Sequence, residues 1–147
     1  GTYYGSGGVG AMGWAPPAAV AAALLGHDAV CVAGDGGFGM TMTAVETAVQ
    51  QGVAPAFVVL NDISLGMVRQ MGVEEGVEFH DTDFVAAAEA FGATGRRVVD
   101  PGELGDALAE GKAAGEPYVL DVRIDREADM AESLRSSFYE SVGGLHE

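Results

Sequence analysis

Lysine is nearly missing from this sequence. Lys112 is its sole example, and the 7 basic residues face 22 acidic ones, for a formal net charge of −15. A nucleic-acid partner is excluded on that balance, because no basic patch exists to replace the counterions on phosphates. Cysteine occurs once, so neither a disulfide nor a cysteine metal cluster can form, and Cys31, inside an apolar run, is expected to be a small buried core residue. No apolar run approaches the roughly 18 to 20 residues that span a bilayer. Gly1 to Gly13 has neither the basic start nor the apolar stretch of a secretory leader. The chain opens on Gly1 and not on methionine, as a processed product or a piece of a longer polypeptide would. A cytoplasmic protein is the expectation. The acidic, lysine-poor, Ala/Val/Gly-rich composition also fits a salt-adapted, halophile-like cytoplasm; the plainer alternative is an acidic protein kept soluble by self-repulsion.

What is present is a folded chain of one domain's length, with 147 residues, 48% of them apolar, and 23 glycines. Glycine and proline bound the elements. Residues 1–14 are loop-like. Ala15 to Leu25, opened by Pro16 and Pro17 and closed by Gly26, is predicted as a helix. Ala29 to Ala33 is a buried-strand candidate, Thr41 to Gln51 a helix stopped by Gly52, and Pro55 to Leu60 a second buried strand. A helix is expected over Asp81 to Phe91, with Thr82 or Asp83 as cap and Gly92 as stop. Arg97 to Val99 is read as a short strand, Pro101 to Ala114 as a helix and Tyr118 to Val122 as the last strand. Short apolar strands alternating with helices imply α/β architecture: right-handed crossovers and a parallel sheet with helices on both faces. The domain is taken as 1–124, with a polar tail over 125–147.

Ligands of such sheets sit beyond the carboxyl ends of the strands. Two predicted strand ends carry polar groups there, Gly34-Asp35-Gly36 after the first and Asn61-Asp62 after the second; if the strands are neighbours, the two loops face each other. Gly34, Gly36 and Gly39 also spell G-x-G-x-x-G, so one reading is a dinucleotide-binding module with Asp62 on a ribose hydroxyl. Against it, Asp35 lies where a pyrophosphate would, with no metal to offset the repulsion. The other reading uses both acidic groups. Mg²⁺ prefers near-octahedral oxygen ligation shared between one or two carboxylates and substrate phosphates. Asp35 and Asp62 supply carboxylates, a backbone carbonyl just past Asp62 adds a third oxygen, and Gly36 and Gly37 let backbone N–H groups approach phosphates at the start of the Thr41 helix. Taken singly, each aspartate is more simply a turn or capping residue.

Gly34-Asp35-Gly36, then 24 residues, then Asn61-Asp62 resembles the thiamine-diphosphate motif. The stretches 6-SGGVGAMGWAPPAAV-20, 44-AVETAVQQGV-53 and 58-VVLNDISLGMVRQ-70 are similar to the C-terminal domain of the acetolactate synthase (acetohydroxyacid synthase large subunit) family. The resemblance covers about Tyr4 to Val122. It implies a thiamine-diphosphate-binding (diphosphate, PP) domain, with thiamine diphosphate and Mg²⁺ as cofactors and a small 2-oxo acid as substrate. The implied chemistry is decarboxylation with carboligation, a transferase-type reaction of branched-chain amino acid biosynthesis in that family. Asp35, Asp62 and the carbonyl of Ser64 are the implied metal ligands. Gly34, Gly36, Gly37, Gly66 and Met67 are expected along the diphosphate and thiazolium. Met12 matches the apolar wedge between the cofactor's rings, although core packing is the default role of methionines such as Met12 and Met67.

The sequence departs from the family pattern in several places. Asp62 replaces the usual Asn, Gly37 a typical Ser, and Met71 a common Trp. Val68 stands where the pyruvate decarboxylase branch has a proton-managing Glu, which favours carboligation over release of an aldehyde. Another transferase, oxidase or decarboxylase of the same cofactor class is the alternative. The family's activating glutamate belongs to a separate pyrimidine-binding domain, so that domain or subunit, within a homo- or hetero-oligomer, is the implied partner. No catalytic residue is assigned in this chain: Glu46 is read as an ordinary helix residue, and His27 and His146 as surface residues. His80, in the loop 72–81, could reach substrate but is more simply a solvated loop residue.

Overall fold

In the computed structural model, residues 2–128 are described; the predicted tail over 125–147, with His146, lies outside them beyond Ala128. Four strands, β1 (Val30–Gly34), β2 (Ala56–Asn61), β3 (Thr94–Val98) and β4 (Tyr118–Arg123), form one sheet in the order β1-β2-β4-β3. Every pairing is parallel. The period of two sorts each strand between two cores. Cys31, Phe57 and Val119 share a register row and face one side, while Val58 and Leu120 in the next row face the other.

The first face is covered by α1 (Ala15–Leu24), α2 (Asp35–Thr41), α3 (Thr43–Gln51) and α5 (Phe84–Ala90), which contribute Val20, Phe38, Val45 and Phe84 to its core. Phe38 meets Phe57 and Phe84 edge-on, with ring centroids 6.0 and 5.4 Å apart, an arrangement that suits aromatic quadrupoles. The second face is covered by α6 (Leu104–Ala114) through Leu104, Ala107 and Leu108. Helices thus lie on both faces, as the alternation predicts, but α6 does not reach β1, whose Val30 and Val32 stay largely exposed. Among the described residues no helix is long and apolar enough to cross a membrane.

The glycine stretch corrects one expectation. Asp35 to Thr41 is a helix, not a loop, and Met42 separates it from α3. Glycine's low helix propensity argued for a loop, yet burying Phe38, a gain of about 2–3 kcal/mol, outweighs it. A second missed element is the single turn α4 (Gly66–Arg69). Asp83 caps α5 by accepting from the Ala86 N–H, as predicted. The strand expected at Arg97 begins earlier, at Thr94, because it pairs with β4 from Tyr118 to Val122.

Candidate functional site

β1 and β2 are neighbours, so their carboxyl ends meet. Gly34 ends β1 and precedes the first residue of α2, which is Asp35. Asp35 is only 5% exposed. Its Oδ1 accepts from the Gly36 N–H at 2.7 Å and its Oδ2 from the Ser64 N–H at 3.1 Å. The second bond ties the two strand ends together. Asp62 points its Oδ2 at the Ser64 hydroxyl, 2.9 Å away, and lies 3.9 Å from an Arg69 guanidinium nitrogen. Burial pushes the Asp35 carboxyl up; the Gly36 N–H pulls it down, the neighbouring Asp62 charge pushes it up again, and the Ser64 and Ile63 N–H groups lower it, with a net rise. The Asp62 charge is thus one of the two influences that disfavour ionisation of Asp35, after burial.

The backbone between them is strained. Ile63 has φ of 62°, the one positive-φ residue other than glycine among the described residues; for a β-branched side chain this costs about 1–3 kcal/mol. Its N–H is held by Asn61 Oδ1 at 3.1 Å. From the other side, residues 77–79 pin the turn: Leu65 N–H donates to Val77 O at 2.8 Å and Phe79 N–H to Ile63 O at 3.0 Å. No sequence signal announces either feature.

A cavity of about 620 Å³ opens beside Asp35, within the range of small-molecule sites. Its walls include Met12, Gly36, Met40, Leu65, Phe79 and His80. Met12 is carried there by the glycine-rich leader, which is fastened where Thr41 Oγ1 donates to Gly13 O at 2.9 Å. His80, read as a solvated loop residue with reach to substrate as the alternative, lines this cavity. Phe79 was not anticipated at all. Gly36 and Gly66 occupy tight places: a Cβ on Gly36 would come within 2.7 Å of Leu65, and one on Gly66 within 2.3 Å of Asp62 Oδ2. Gly37 is less confined, with Gly13 N 3.7 Å from the place of its Cβ. Met67 does not join them; it is 59% exposed on α4 and is not part of the cavity wall. A four-residue helix cannot bury every side, and the Met67 side is the outer one. Glu46 is exposed and accepts from Gln50, an intrahelical pair consistent with its reading as a helix residue.

Among the described residues no three His, Cys, Asp or Glu side chains converge. A cation here would be held by Asp35, Asp62 and backbone oxygen such as the Ser64 carbonyl, with the remaining places filled by ligand oxygens. That all-oxygen set suits a hard divalent ion, and a buried carboxylate that feels a second carboxylate's charge is the kind of group such an ion would stabilise.

A family described as "Thiamine pyrophosphate enzyme, C-terminal TPP binding domain" matches residues 1–122. Acetolactate synthase of Bacillus subtilis is 38% identical over 127 residues, covering 82% of this chain and 22% of the relative. The mitochondrial catalytic subunit of acetolactate synthase from Saccharomyces cerevisiae is 35% identical over 133 residues, covering 85% and 19%. The crystal structure of benzoylformate decarboxylase from Polynucleobacter necessarius superposes with a TM-score of 0.75 at 28% identity, covering 83% of this chain and 25% of that one. The chain thus spans about a fifth of the length of the curated relatives it matches. A parallel sheet with a cavity of small-molecule size at its carboxyl edge, and a family match over nearly all the described residues, lead to one conclusion: the chain belongs to the thiamine pyrophosphate enzymes, as their C-terminal cofactor-binding domain.

Proposed function

We propose that this domain holds the diphosphate and Mg²⁺ of thiamine diphosphate in an enzyme that decarboxylates a 2-oxo acid and joins the remaining fragment to a second carbonyl compound, as in acetolactate synthase. When bound, the cofactor supplies a nucleophilic carbon and an electron sink for loss of carbon dioxide. The chain's own residues hold, orient and enclose. Asp35, Asp62 and the Ser64 carbonyl are the metal's protein ligands; the backbone at Gly36 and Gly37 takes the phosphates; Met12 supports the rings; and the apolar cavity wall of Leu65, Phe79 and Phe84 keeps water out. The observation that carries this reading is the Ser64 N–H to Asp35 Oδ2 bond, which sets two carboxylates at one point where neighbouring strands end.

Carboligation is favoured over simple aldehyde release because Val68, on α4, has no proton to give or take. A pyrimidine-binding domain, on the same polypeptide or another subunit, completes the site. Calorimetry tests the core of the reading. Thiamine diphosphate is expected to bind with Mg²⁺ and to be released by EDTA. Metal-independent binding of NAD in its place would overturn the assignment in favour of a dinucleotide module.

A further inference from the structure

At the floor of the same site, a polar chain crosses three strands inside an otherwise apolar sheet. Asp121 on β4 is 0% exposed. Its Oδ2 accepts from Arg97 Nε at 2.8 Å and lies 2.8 Å from Arg97 Nη2, while its Oδ1 accepts from Asn61 Nδ2 at 2.8 Å. Asn61 is itself 2% exposed. A carboxylate only accepts, so the Asn61 amide must turn its NH₂ toward Asp121. Its oxygen is then left facing the Ile63 N–H. The direction of that amide is fixed by Asp121, and the left-handed turn at Ile63 is fixed by the amide.

We propose that Asp121, oriented by Arg97, is a positioning residue for the metal-and-diphosphate loop, acting through Asn61 on the backbone of Ile63. This rests on the functional reading above. The sheet itself has no need of the carboxylate: the residues flanking Asp121 in its row and strand include Val59 and Val119, both fully buried. Well-packed apolar residues replace buried ion pairs with little or no loss of stability. What the carboxylate supplies is a direction. Ile63 in its turn places the Ser64 N–H on Asp35 and sets Asp62 beside it. Arg97 also lies 3.8 Å from Asp83, the cap of α5, so the same guanidinium links this chain to the segment that follows His80.

Asp121→Asn tests the idea with almost no change in volume. The new amide keeps its oxygen on the charged Arg97, the stronger partner, and turns its NH₂ toward Asn61. Asn61 must flip, and its own NH₂ then confronts the Ile63 N–H. In the metal-free protein, amide hydrogen exchange at Ile63 and Ser64 is expected to speed up at least about tenfold, a local opening. The Mg²⁺ needed for half-saturation with thiamine diphosphate is expected to rise about 10- to 100-fold, as for other partners of metal-ligand shells. Val98→Ala, on β3 and facing the other core, is the comparison: it lowers stability without touching this chain. The paired replacement Asp121→Leu with Arg97→Met removes both charges and is expected to remain folded, with a modest loss of stability from the unpaired Asn61 amide, while still exposing Ile63. Equal protection of Ile63 in Asp121→Asn, the paired variant and Val98→Ala overturns the proposal. Loss of Ile63 protection with an unchanged Mg²⁺ requirement overturns its link to the metal. Loss of Ile63 protection in a protein whose unmodified form binds no thiamine diphosphate upholds the positioning and removes the functional reading.

Discussion

Gly66 separates fold from function in one substitution. A Cβ there would lie 2.3 Å from Asp62 Oδ2, 3.2 Å from its Cγ and 3.4 Å from Oδ1. Carbon and oxygen that are not bonded rest no closer than about 3.2–3.5 Å, so in Gly66→Ala the carboxylate must move about 1 Å. It can do so cheaply, since it ends a short side chain held by the Ser64 hydroxyl and, more loosely, by Arg69. Losing the Ser64 bond costs about 1 kcal/mol. Alanine in place of glycine at the start of α4, where φ is not positive, returns up to about 1 kcal/mol of helix propensity. The two offset each other, and the melting temperature of the metal-free protein is expected to stay within about 5 °C.

Metal binding has no such compensation. Oxygen–Mg²⁺ bonds of about 2.0–2.1 Å tolerate only a few tenths of an ångström, so a carboxylate displaced by about 1 Å no longer serves as a ligand without distorting the loop. The expected result is a 10- to 100-fold rise in the Mg²⁺ needed for half-saturation at fixed thiamine diphosphate, about 1.4–2.8 kcal/mol. Calorimetric titration reads it directly, beside a thermal melt in EDTA. An unchanged Mg²⁺ requirement in a well-folded Gly66→Ala protein would refute Asp62 as a ligand. A large fall in melting temperature would refute the claim that the overlap falls on a movable side chain.

Three further outcomes follow from the same coordinates. The Asp35 carboxyl is raised in the folded protein, burial first among the causes, so its stabilising contribution is complete below the ordinary aspartate pKa and is lost as pH rises through the raised value. Urea denaturation in EDTA should therefore show Asp35→Asn gaining on the unmodified protein as pH rises above the ordinary aspartate range, and a constant difference would contradict the raised carboxyl. Gly95→Ala puts a Cβ 2.6 Å from the Val119 carbonyl of the paired strand, backbone that cannot step aside; a loss of about 2–3 kcal/mol in denaturant midpoint analysis is expected, and none would mean that β3 slides freely. Burial pushes the Cys31 thiol up to about 12, so iodoacetamide should label it about 100-fold more slowly in the native protein than in urea.

The parts of the site that could be read from sequence are those carried by local chemistry. Aspartates directly after valine-rich runs marked the strand ends, and the motif resemblance paired Asp35 with Asp62 on the condition that their strands are neighbours. The β1–β2 pairing meets that condition, which alternation of elements alone does not dictate. The glycines misled in both directions. Gly36, Gly37 and Gly39 suggested a loop where Phe38 draws a helix onto the sheet. The spacing of Gly34, Gly36 and Gly39 offered a dinucleotide site that the family match does not bear out. What stayed hidden depends on residues far apart in the chain. Asp121 stands 60 residues from Asn61 and looks from sequence like one more strand residue, although a charge in so apolar a run was the available clue. The return of residues 77–79 onto Ser64 has no local cause, so neither Phe79 nor His80 could be placed on the cavity wall.

On the proposed reading, charge explains why the site would need a cation from solution. The chain carries −15 formally, and a diphosphate brings further negative charge to the point where Asp35 and Asp62 meet. Arg69 stands 3.9 Å from Asp62, but its guanidinium also donates to the Arg126 carbonyl and its Nε is buried without a hydrogen-bond partner. Arg126, whose guanidinium also feels Asp62, is chiefly engaged with Glu78, at 2.8 and 2.9 Å. Two guanidiniums already committed elsewhere cannot neutralise two carboxylates and a diphosphate together. They can offset the extra charge that Asp62 adds over the usual asparagine, leaving the rest to an ion from solution. On that argument Asp62 and Arg69 form a matched pair: an asparagine at 62 would leave Arg69 with no carboxylate to face there, and like-charge repulsion would then oppose a cation held as proposed.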